Sequence, residues 1–520
     1  MVLIARFLVA VLLVGACGKS MGSDLDLVII NGRVIDPESR TDAVLNVGIR
    51  GSRIVSVTAD DMSASRVIDA QGKLVSPGFI DMHAHGQNIL SGRVQALDGV
   101  TTALELEAGV WPVNRWYAEL AKEGRPINYG ASVNWAFARV DALLGSGPEG
   151  DDDWLTEQFA GAEWQAKLTS DSQLDEIMTR VQQGLDQGGL GIGFLLGYAP
   201  DVGRKEYFHL TDLAARNEVP TFTHARYLSM LEPDSSFEAM AEIVAAAAGT
   251  GAHAHIVHLN SISLRDIGPI GRMISSARDQ GVRLSTEAYP YGAGSTHIGA
   301  AMFRQENWQE KIGGITAHNF DVNGARLEEA EFERLQSEAP ETGVVVHLLD
   351  TAVPEDQAFL DQSVLFPGGV IASDGGDWSL DGKPVESDTW PLPEKAWSHP
   401  RSAGTYARFL RNYVVERNTL SWLDAIERVS YGPARLLEAA VPQMQRKGRI
   451  QVGADADIVI IDPVRVTDNA TYTAPAQTSS GINYVIVNGQ VLVENGELDT
   501  DVLPGKAIRN DQPSQSSGEM

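Results

Sequence analysis

The sequence has only one cysteine, Cys17, among its 520 residues, which excludes any disulfide within the chain. Basic residues are also scarce, with 41 lysines and arginines against 69 aspartates and glutamates and a formal charge of -28. This charge repels phosphate backbones, and no basic cluster interrupts it. We therefore expect no nucleic-acid partner.

The apolar run at residues 7–15 is too short to cross a bilayer as a mature helix. Because Arg6 precedes it and small residues follow, it is typical of an export signal. Residues 14–17 resemble the lipobox of bacterial lipoproteins, in which the chain is cut before a cysteine that is then lipidated. We expect an exported, periplasmic protein with a lipid anchor at Cys17 and no transmembrane helix. A signal with an incidental cysteine, which leaves the protein soluble in the periplasm, stays open.

Asn-Gly pairs between alternating apolar residues are a hairpin signal, and they occur near both ends of the chain, at residues 31–32 and 488–489. Both surrounding stretches also contain short apolar runs bounded by turn residues. We therefore predict that the two ends pair into one small β-sandwich.

Between the two ends, strand-like apolar runs alternate with helix-like stretches. This alternation predicts βα units and an α/β fold, a (β/α)8 barrel whose active site lies at the C-terminal ends of its strands. We expect strands to end near His83, Glu107, Asn134, Leu196, His224, His258, Tyr289 and Asp374. The predicted division is a signal peptide with linker (1–23), the β-sandwich (24–75 and 448–505), the barrel (76–447) and a disordered tail (506–520).

Two histidines separated by one residue, His83 and His85, end the first predicted barrel strand. Alternate residues of a strand face the same side, so both imidazoles can bind one ion. His224, His258 and Asp374 end later strands, and together the five predict a site for one or two divalent ions, above all zinc. Such a site activates water as a hydroxide, and Asp374 would carry its proton to a leaving nitrogen.

These motifs resemble the amidohydrolase superfamily. The resemblance covers most of the chain, from residues 30–36 through Pro-Gly-Phe-Ile-Asp-x-His-x-His at 77–85 to residues 452–459. It implies metal ligands on barrel strands one, five, six and eight, where the five residues above fall. Four further stretches resemble the N-acyl-D-amino-acid deacylases, namely residues 224–226, 289–296, 373–375 and 399–405.

The deacylase resemblance implies hydrolysis of the non-peptide amide bond of an N-acyl-D-amino acid, a small molecule with a free carboxylate. It also implies that Tyr289, Ser295 and Arg401 grip this carboxylate, to which a guanidinium can donate paired hydrogen bonds. Arg226, in the stretch after His224, is a further predicted substrate contact. So is Asn260, which stands where deacylases often have a lysine.

The sequence departs from the family at the second predicted strand, where the family has a metal-binding cysteine. Here Gly-Val-Thr-Thr at 99–102 leads to Glu105 and Glu107. We predict that Glu107 replaces the thiolate, although Glu105 or a structural role for both glutamates stays open. Residues 191–196 contain no lysine, so a carbamylated-lysine bridge is not expected. An insertion at 375–398 with Trp378, Trp390 and Trp397 is predicted to cover the site.

Two other functions stay open. A metallodipeptidase or cyclic-amide hydrolase would use the same metal ligands without the carboxylate clamp. A lipid-anchored binding protein that has lost catalysis would have no need of Asp374 beside a metal site.

Overall fold

The computed structural model describes residues 25–145 and 163–510. Its strands, in chain order, are β1 (Leu27–Asp36), β2 (Thr41–Arg50), β3 (Arg53–Thr58), β4 (Arg66–Asp69), β5 (Leu74–Pro77), β6 (Phe79–Asp81), β7 (Val100–Val110), β8 (Asn128–Asn134), β9 (Ile192–Leu195), β10 (Thr221–His224), β11 (Ala254–Ile256), β12 (Leu284–Ala288), β13 (Ala293–His297), β14 (Phe320–Val322), β15 (Ala325–Arg326), β16 (Gly343–His347), β17 (Val370–Ile371), β18 (Ser379–Leu380), β19 (Lys383–Pro384), β20 (Ile458–Ile461), β21 (Ile482–Val487), β22 (Gln490–Glu494) and β23 (Glu497–Leu498).

The α-helices of the described ranges are α1 (Ile89–Leu97), α2 (Val113–Glu123), α3 (Trp135–Leu144), α4 (Asp171–Asp186), α5 (Arg204–Arg216), α6 (Ser236–Thr250), α7 (Leu259–Ser263), α8 (Ile267–Asp279), α9 (Trp308–Lys311), α10 (Glu329–Glu338), α11 (Pro354–Val364), α12 (Arg401–Leu410), α13 (Trp422–Ile426) and α14 (Gly432–Leu437). Residues Arg411–Glu416 and Glu427–Tyr431 are π-helical. None of these helices has the length and apolarity that a bilayer crossing requires. The predicted signal peptide and Cys17 lie outside the described residues.

Both ends of the chain join in one nine-stranded sheet, with the strand order β23-β22-β21-β20-β5-β1-β2-β3 and β4 beside β1. The halves meet where β5 pairs antiparallel with β20. Buried residues of both halves, such as Ile29, Val47, Ile458 and Ile486, share one apolar cluster. The prediction of a small β domain formed from both ends is confirmed.

The two Asn-Gly pairs differ in structure. The pair at 488–489 forms the predicted hairpin turn between β21 and β22. The pair at 31–32 lies inside β1, where the register against β2 shifts between Ile29 and Gly32 and Asn31 has a φ of 60°. The predicted turn there is wrong, because the extra residue is accommodated as a bulge while pairing continues on both sides.

Eight parallel strands form the barrel, in the order β6-β7-β8-β9-β10-β11-β12-β17. The barrel closes between its first and last strands, where Asp374 N donates to His83 O at 2.8 Å and Ala84 bridges Gly375. Every strand lies where the alternation predicted one, so the predicted (β/α)8 barrel is confirmed. Its strand ends bring distant residues together at one face.

Local signals define the βα units that build this barrel. Helix α6 begins at Ser235, whose side chain accepts from Glu238 N while the Glu238 carboxylate accepts from Ser235 N. The helix ends at Gly251, where φ is 76° and a side chain would be strained. The chain then returns directly into β11, which positions His258 at the barrel mouth.

A four-stranded antiparallel sheet, in the order β13-β16-β14-β15, follows the seventh barrel strand. Strands β13 and β16 pair from Ala293 with His347 to His297 with Gly343. This sheet forms one wall above the barrel mouth. It was not predicted, because its strands are short and lie inside what appeared to be a single βα connection.

The described part of the predicted disordered tail is packed rather than free. Ile508 is buried, accepts from the hydroxyl of Tyr117 at 2.6 Å and donates its N–H to Tyr129 O at 2.7 Å. Residues 506–510 therefore lie beside the barrel, and the predicted boundary at residue 506 is corrected. Residues 511–520 lie outside the described residues.

Candidate metal centre and substrate cavity

The residues predicted as metal ligands lie together at the C-terminal face of the barrel. They form two groups, and within each group the ligand atoms lie within 4.8 Å of one another. One group is His83, His85 and Asp374, and the other is Glu107, His224 and His258. Imidazole nitrogens and carboxylate oxygens in this number suit zinc and similar divalent ions. The donor set therefore fits such a metal.

The carboxylate of Glu107 lies between the two groups. Its Oε1 is 2.8 Å from His224 Nδ1 and 2.9 Å from His258 Nε2. Its Oε2 is 3.1 Å from His83 Nε2 and 3.4 Å from His85 Nε2. A carboxylate whose two oxygens face different groups is placed to contact an ion in either of them.

Two further carboxylates lie behind the histidines of the first group. Glu287 Oε1 is 2.5 Å from His83 Nδ1, and Glu105 Oε2 is 2.8 Å from His85 Nδ1. Each hydrogen bond fixes its imidazole with Nε2 facing the centre, as second partners of metal-bound histidines do. Sequence analysis missed Glu287, although its place two residues before Tyr289 on one strand was a usable signal.

The second group is held differently. The outward nitrogens His224 Nε2 and His258 Nδ1 are buried and have no hydrogen-bond partner among the described residues. A Cβ at Gly197 would lie only 2.3 Å from His224 Cδ2, so the backbone of residue 197 packs against the imidazole. The Tyr198 ring is 5.0 Å from that of His224. Packing, rather than a carboxylate, therefore orients His224.

The backbone is strained at one ligand of each group. His258 has a φ of 29° and Asp374 a φ of 53°, in the left-handed region that residues with a side chain seldom occupy. Such strain persists where the surroundings hold the residue, and it clusters at functional sites.

The centre carries an excess of negative charge. Burial disfavours a charged His83, but Glu107, Asp374 and Glu287 outweigh burial and raise its pKa well above the usual value. Burial raises the pKa of Glu107, but His83 and hydrogen bonds from the other histidines lower it well below its usual range. Buried carboxylates that stay charged and raise the proton affinity of a neighbouring imidazole also favour a bound cation.

A cavity of about 370 Å³ opens onto the ligands and is lined by Tyr289, Ser295 and Arg401. The Arg401 side chain is 3% exposed and pairs with Asp374, with Nη2 2.9 Å from Oδ1. Its Nε and Nη1 are buried and have no hydrogen-bond partner among the described residues. The guanidinium also lies over the Tyr289 ring, 4.7 Å from its centroid. An anion in the cavity would find two unused donors here.

His399, another residue that sequence analysis missed, holds Arg401 at the start of α12. Its Nδ1 accepts from Arg401 N at 3.0 Å, and its Nε2 donates to Ala293 O at 3.1 Å. Burial and the neighbouring Arg401 lower its pKa well below the usual value, so the ring is neutral. One nitrogen can therefore accept while the other donates.

Two predicted substrate contacts do not line the cavity. Arg226 pairs with both carboxylate oxygens of Glu242 at 2.7 Å and donates to two backbone carbonyls. Asn260 accepts from Tyr289 N at 3.2 Å and donates to Tyr291 O at 3.3 Å. These predictions are corrected: Arg226 fixes the segment after β10, and Asn260 fixes the backbone around Tyr289.

Residues of the inserted segment take different positions. Trp397 lines the cavity, whereas Trp378 is buried in a small apolar cluster outside it. Trp390 packs partly buried against that cluster. The predicted cover over the site is therefore formed in part by Trp397.

These observations define a (β/α)8 barrel with a metal-binding centre and a buried arginine at the mouth. The Amidohydrolase family model matches residues 66–145 and 236–493. The chain belongs to this family.

The chain is similar to two deacylases from Alcaligenes xylosoxydans xylosoxydans. It is 28% identical to the N-acyl-D-glutamate deacylase, over 94% of this chain and 98% of that protein. It is 26% identical to the N-acyl-D-aspartate deacylase, over 93% of this chain and 95% of that protein. The solved N-acyl-D-glutamate deacylase of Bordetella bronchiseptica, complexed with zinc and a phosphonate inhibitor, has a TM-score of 0.73 and 23% identity, and covers 94% of this chain and 100% of its own.

Proposed function

We propose that this protein is a metal-dependent N-acyl-D-amino-acid deacylase. The observation that carries the proposal is Arg401, a buried guanidinium with two unpaired nitrogens in the same cavity as the metal ligands. A guanidinium binds carboxylates through paired hydrogen bonds from adjacent nitrogens, and either unpaired nitrogen can form such a pair with the second hydrogen of Nη2. The names of the similar deacylases support the same reaction.

The metal would be held by His83, His85, Glu107, His224, His258 and Asp374. When bound, a divalent ion such as zinc supplies Lewis-acid activation of the scissile carbonyl and of the attacking water. One or two ions are compatible with the two ligand groups.

Arg401 links substrate binding to proton transfer. One hydrogen of its Nη2 faces Asp374, while the unpaired Nη1, beside the second hydrogen of Nη2, remains for the substrate carboxylate. Burial raises the pKa of Asp374, but Arg401 and His83 outweigh burial and lower it, so Asp374 is a carboxylate able to accept a proton. Asp374 takes the proton of the attacking water and delivers it to the leaving nitrogen.

The test uses purified protein that lacks residues 1–17, with its metal content measured. Wild type and Arg401→Lys are assayed on N-acetyl derivatives of paired D- and L-amino acids, and on dipeptides and cyclic amides. We expect D-selective, metal-dependent release of amine by wild type. In Arg401→Lys we expect a rise in KM of roughly 100-fold, because an ammonium cannot reproduce the planar pair of hydrogen bonds.

Arg334→Lys is the matched control, since Arg334 is exposed and pairs with Glu331 and Glu338 of its own helix. It should behave as wild type. Metal-bound protein that cleaves only dipeptides or cyclic amides would support the alternative hydrolase and refute the deacylase. Metal-bound protein that cleaves none of these substrates would support the binding protein.

We also propose that the protein is exported and anchored by lipid at Cys17. The signal-like residues 1–17 and their lipobox support this proposal. Full-length protein should partition with membranes, and Cys17→Ser should release it to the soluble periplasmic fraction. If wild type and Cys17→Ser fractionate alike, there is no anchor at this cysteine.

A further inference from the structure

We infer that the cavity selects N-acyl-D-amino acids with apolar side chains and disfavours those with acidic ones. The inference rests on the proposed function, because it concerns the side chain of a substrate held in the same cavity. It departs from the acidic substrates in the names of the two similar curated deacylases.

Substrate geometry confines where a side-chain carboxylate can lie. The α-carboxylate and the side chain leave the same carbon atom, and only one or two methylene groups separate that carbon from the acidic group of aspartate or glutamate. With the α-carboxylate on Arg401, the second carboxylate therefore lies near the wall beside Arg401. The residues of that wall decide whether it is accepted.

That wall begins at Gly294. A Cβ on Gly294 would lie 3.2 Å from the Tyr289 hydroxyl and 4.0 Å from Arg401 Nη1, so this residue faces the clamp. Gly294 pairs with Val346 on β16. Val346 is 2% exposed and lines the cavity.

The surface continues with apolar side chains. Leu348, Met302 and Phe303 line the cavity and belong with Val346 to one buried cluster. Aliphatic and aromatic groups gain free energy when they cover such a surface, because both leave water. A branched aliphatic, thioether or aromatic side chain of the substrate would therefore be stabilised here.

Away from the metal ligands, the wall offers a second carboxylate no cation. In the described lining of the cavity, Arg401 is the only lysine or arginine. His297 and His399 also line it, but burial lowers the pKa of both, so neither adds positive charge near neutral pH. Asp377 adds a further acidic group. A carboxylate in such surroundings loses hydration without gaining an ion pair.

The first experiment compares wild-type holoenzyme on N-acetyl-D-leucine, N-acetyl-D-methionine, N-acetyl-D-glutamine and N-acetyl-D-glutamate. We expect kcat/KM for leucine and methionine to exceed that for glutamate by at least roughly 100-fold. Glutamine matches glutamate in size but carries no charge, so it should be hydrolysed faster than glutamate. This pair separates the effect of charge from that of shape.

The second experiment places a cation in the wall. Thr296 lines the cavity, is half-buried and lies two residues after Gly294 on β13, so their positions share one face of the strand. Thr296→Lys should raise kcat/KM for glutamate relative to leucine by about tenfold or more. Thr296→Gln, of similar length but uncharged, should not change that ratio.

The outcomes are distinct. Glutamate hydrolysed as fast as leucine by wild type, or an unchanged ratio in Thr296→Lys, would overturn the apolar selection and leave the deacylase intact. Metal-bound wild type that hydrolyses no N-acyl-D-amino acid would overturn the proposed function and this inference with it.

Discussion

The two halves of the ligand cluster orient their histidines by different means. In the half formed by His83 and His85, each outward nitrogen meets a carboxylate, from Glu287 or Glu105. In the half formed by His224 and His258, the outward nitrogens meet no hydrogen-bond partner in the described chain. The histidines of the first half are therefore oriented by hydrogen bonds to carboxylates, and those of the second half by packing.

The difference predicts how each half responds to change. A carboxylate behind an imidazole raises its basicity and strengthens it as a ligand. A ligand held by packing lacks that contribution, but its position is fixed by atoms that cannot move without cost. Removing the charge of a carboxylate behind an imidazole should therefore weaken metal binding by the first half. Adding volume beside an imidazole should weaken metal binding by the second half.

Asp374→Asn should have the largest effect on activity, because it removes the anionic ligand of the first half and the proton carrier together. We expect kcat to fall by roughly 10³-fold, while the second half still binds metal. Amine release and metal content measure the two effects. Asp381→Asn is the matched control, since Asp381 is exposed and has a φ of 52° against 53° for Asp374. Retained activity in Asp374→Asn would exclude its catalytic role.

Glu107→Gln tests the carboxylate between the halves. The second half would lose its only anionic ligand, and the first half would lose a nearby charge. We expect metal affinity to fall by more than roughly 100-fold, beyond the usual effect of an outer residue. Metal content after dialysis against a graded chelator measures it. A full metal content in the variant would show that Glu107 is not a ligand.

Gly197→Ala adds volume against His224, where the new Cβ would lie 2.3 Å from Cδ2. Overpacking of this kind costs about 1–3 kcal/mol, which corresponds to about fivefold to 150-fold weaker metal binding if the imidazole moves. Gly376→Ala is the matched control. Gly376 lines the cavity that His224 also lines, and a Cβ at this position would meet nothing within 4 Å. Equal affinities in the two variants would contradict orientation by packing.

Glu287→Gln gives the smallest expected change, because glutamine loses the negative charge but keeps one oxygen that can accept from His83 Nδ1. We expect about tenfold weaker metal binding, with the ¹⁵N shifts of His83 altered and those of His224 unchanged. Glu287→Ala should be worse, since it removes the acceptor as well. Identical affinities for wild type and both variants would show that Glu287 does not support the first half.

Much of this architecture could be predicted from sequence. Strand periodicity predicted all eight barrel strands. It also predicted that the histidines at the strand ends lie together, because parallel strands bring their C-terminal ends to one face. The position of Glu107 near the end of its strand was visible for the same reason. Local pattern was sufficient wherever a residue's position depends on its own strand.

Contacts between side chains from separate elements were less visible. Glu287 meets His83 across the barrel because of the stagger of the strands, which no single segment encodes. Arg226 lies in a family motif beside His224, yet its guanidinium turns to Glu242 on α6. A motif predicts the backbone position of a residue, whereas tertiary packing determines which groups its side chain contacts.

The pairing of β5 with β20 has a consequence for synthesis of the protein. Arg53 contacts Asp455, 402 positions later in the chain, and the sheet beside them contains strands from both ends of the chain. At ribosomal speeds this separation amounts to about 20–80 s. Until the later segment emerges, the early strands have an exposed edge of the kind that promotes aggregation. The last part of the chain to be made therefore sets the moment at which the first part is protected.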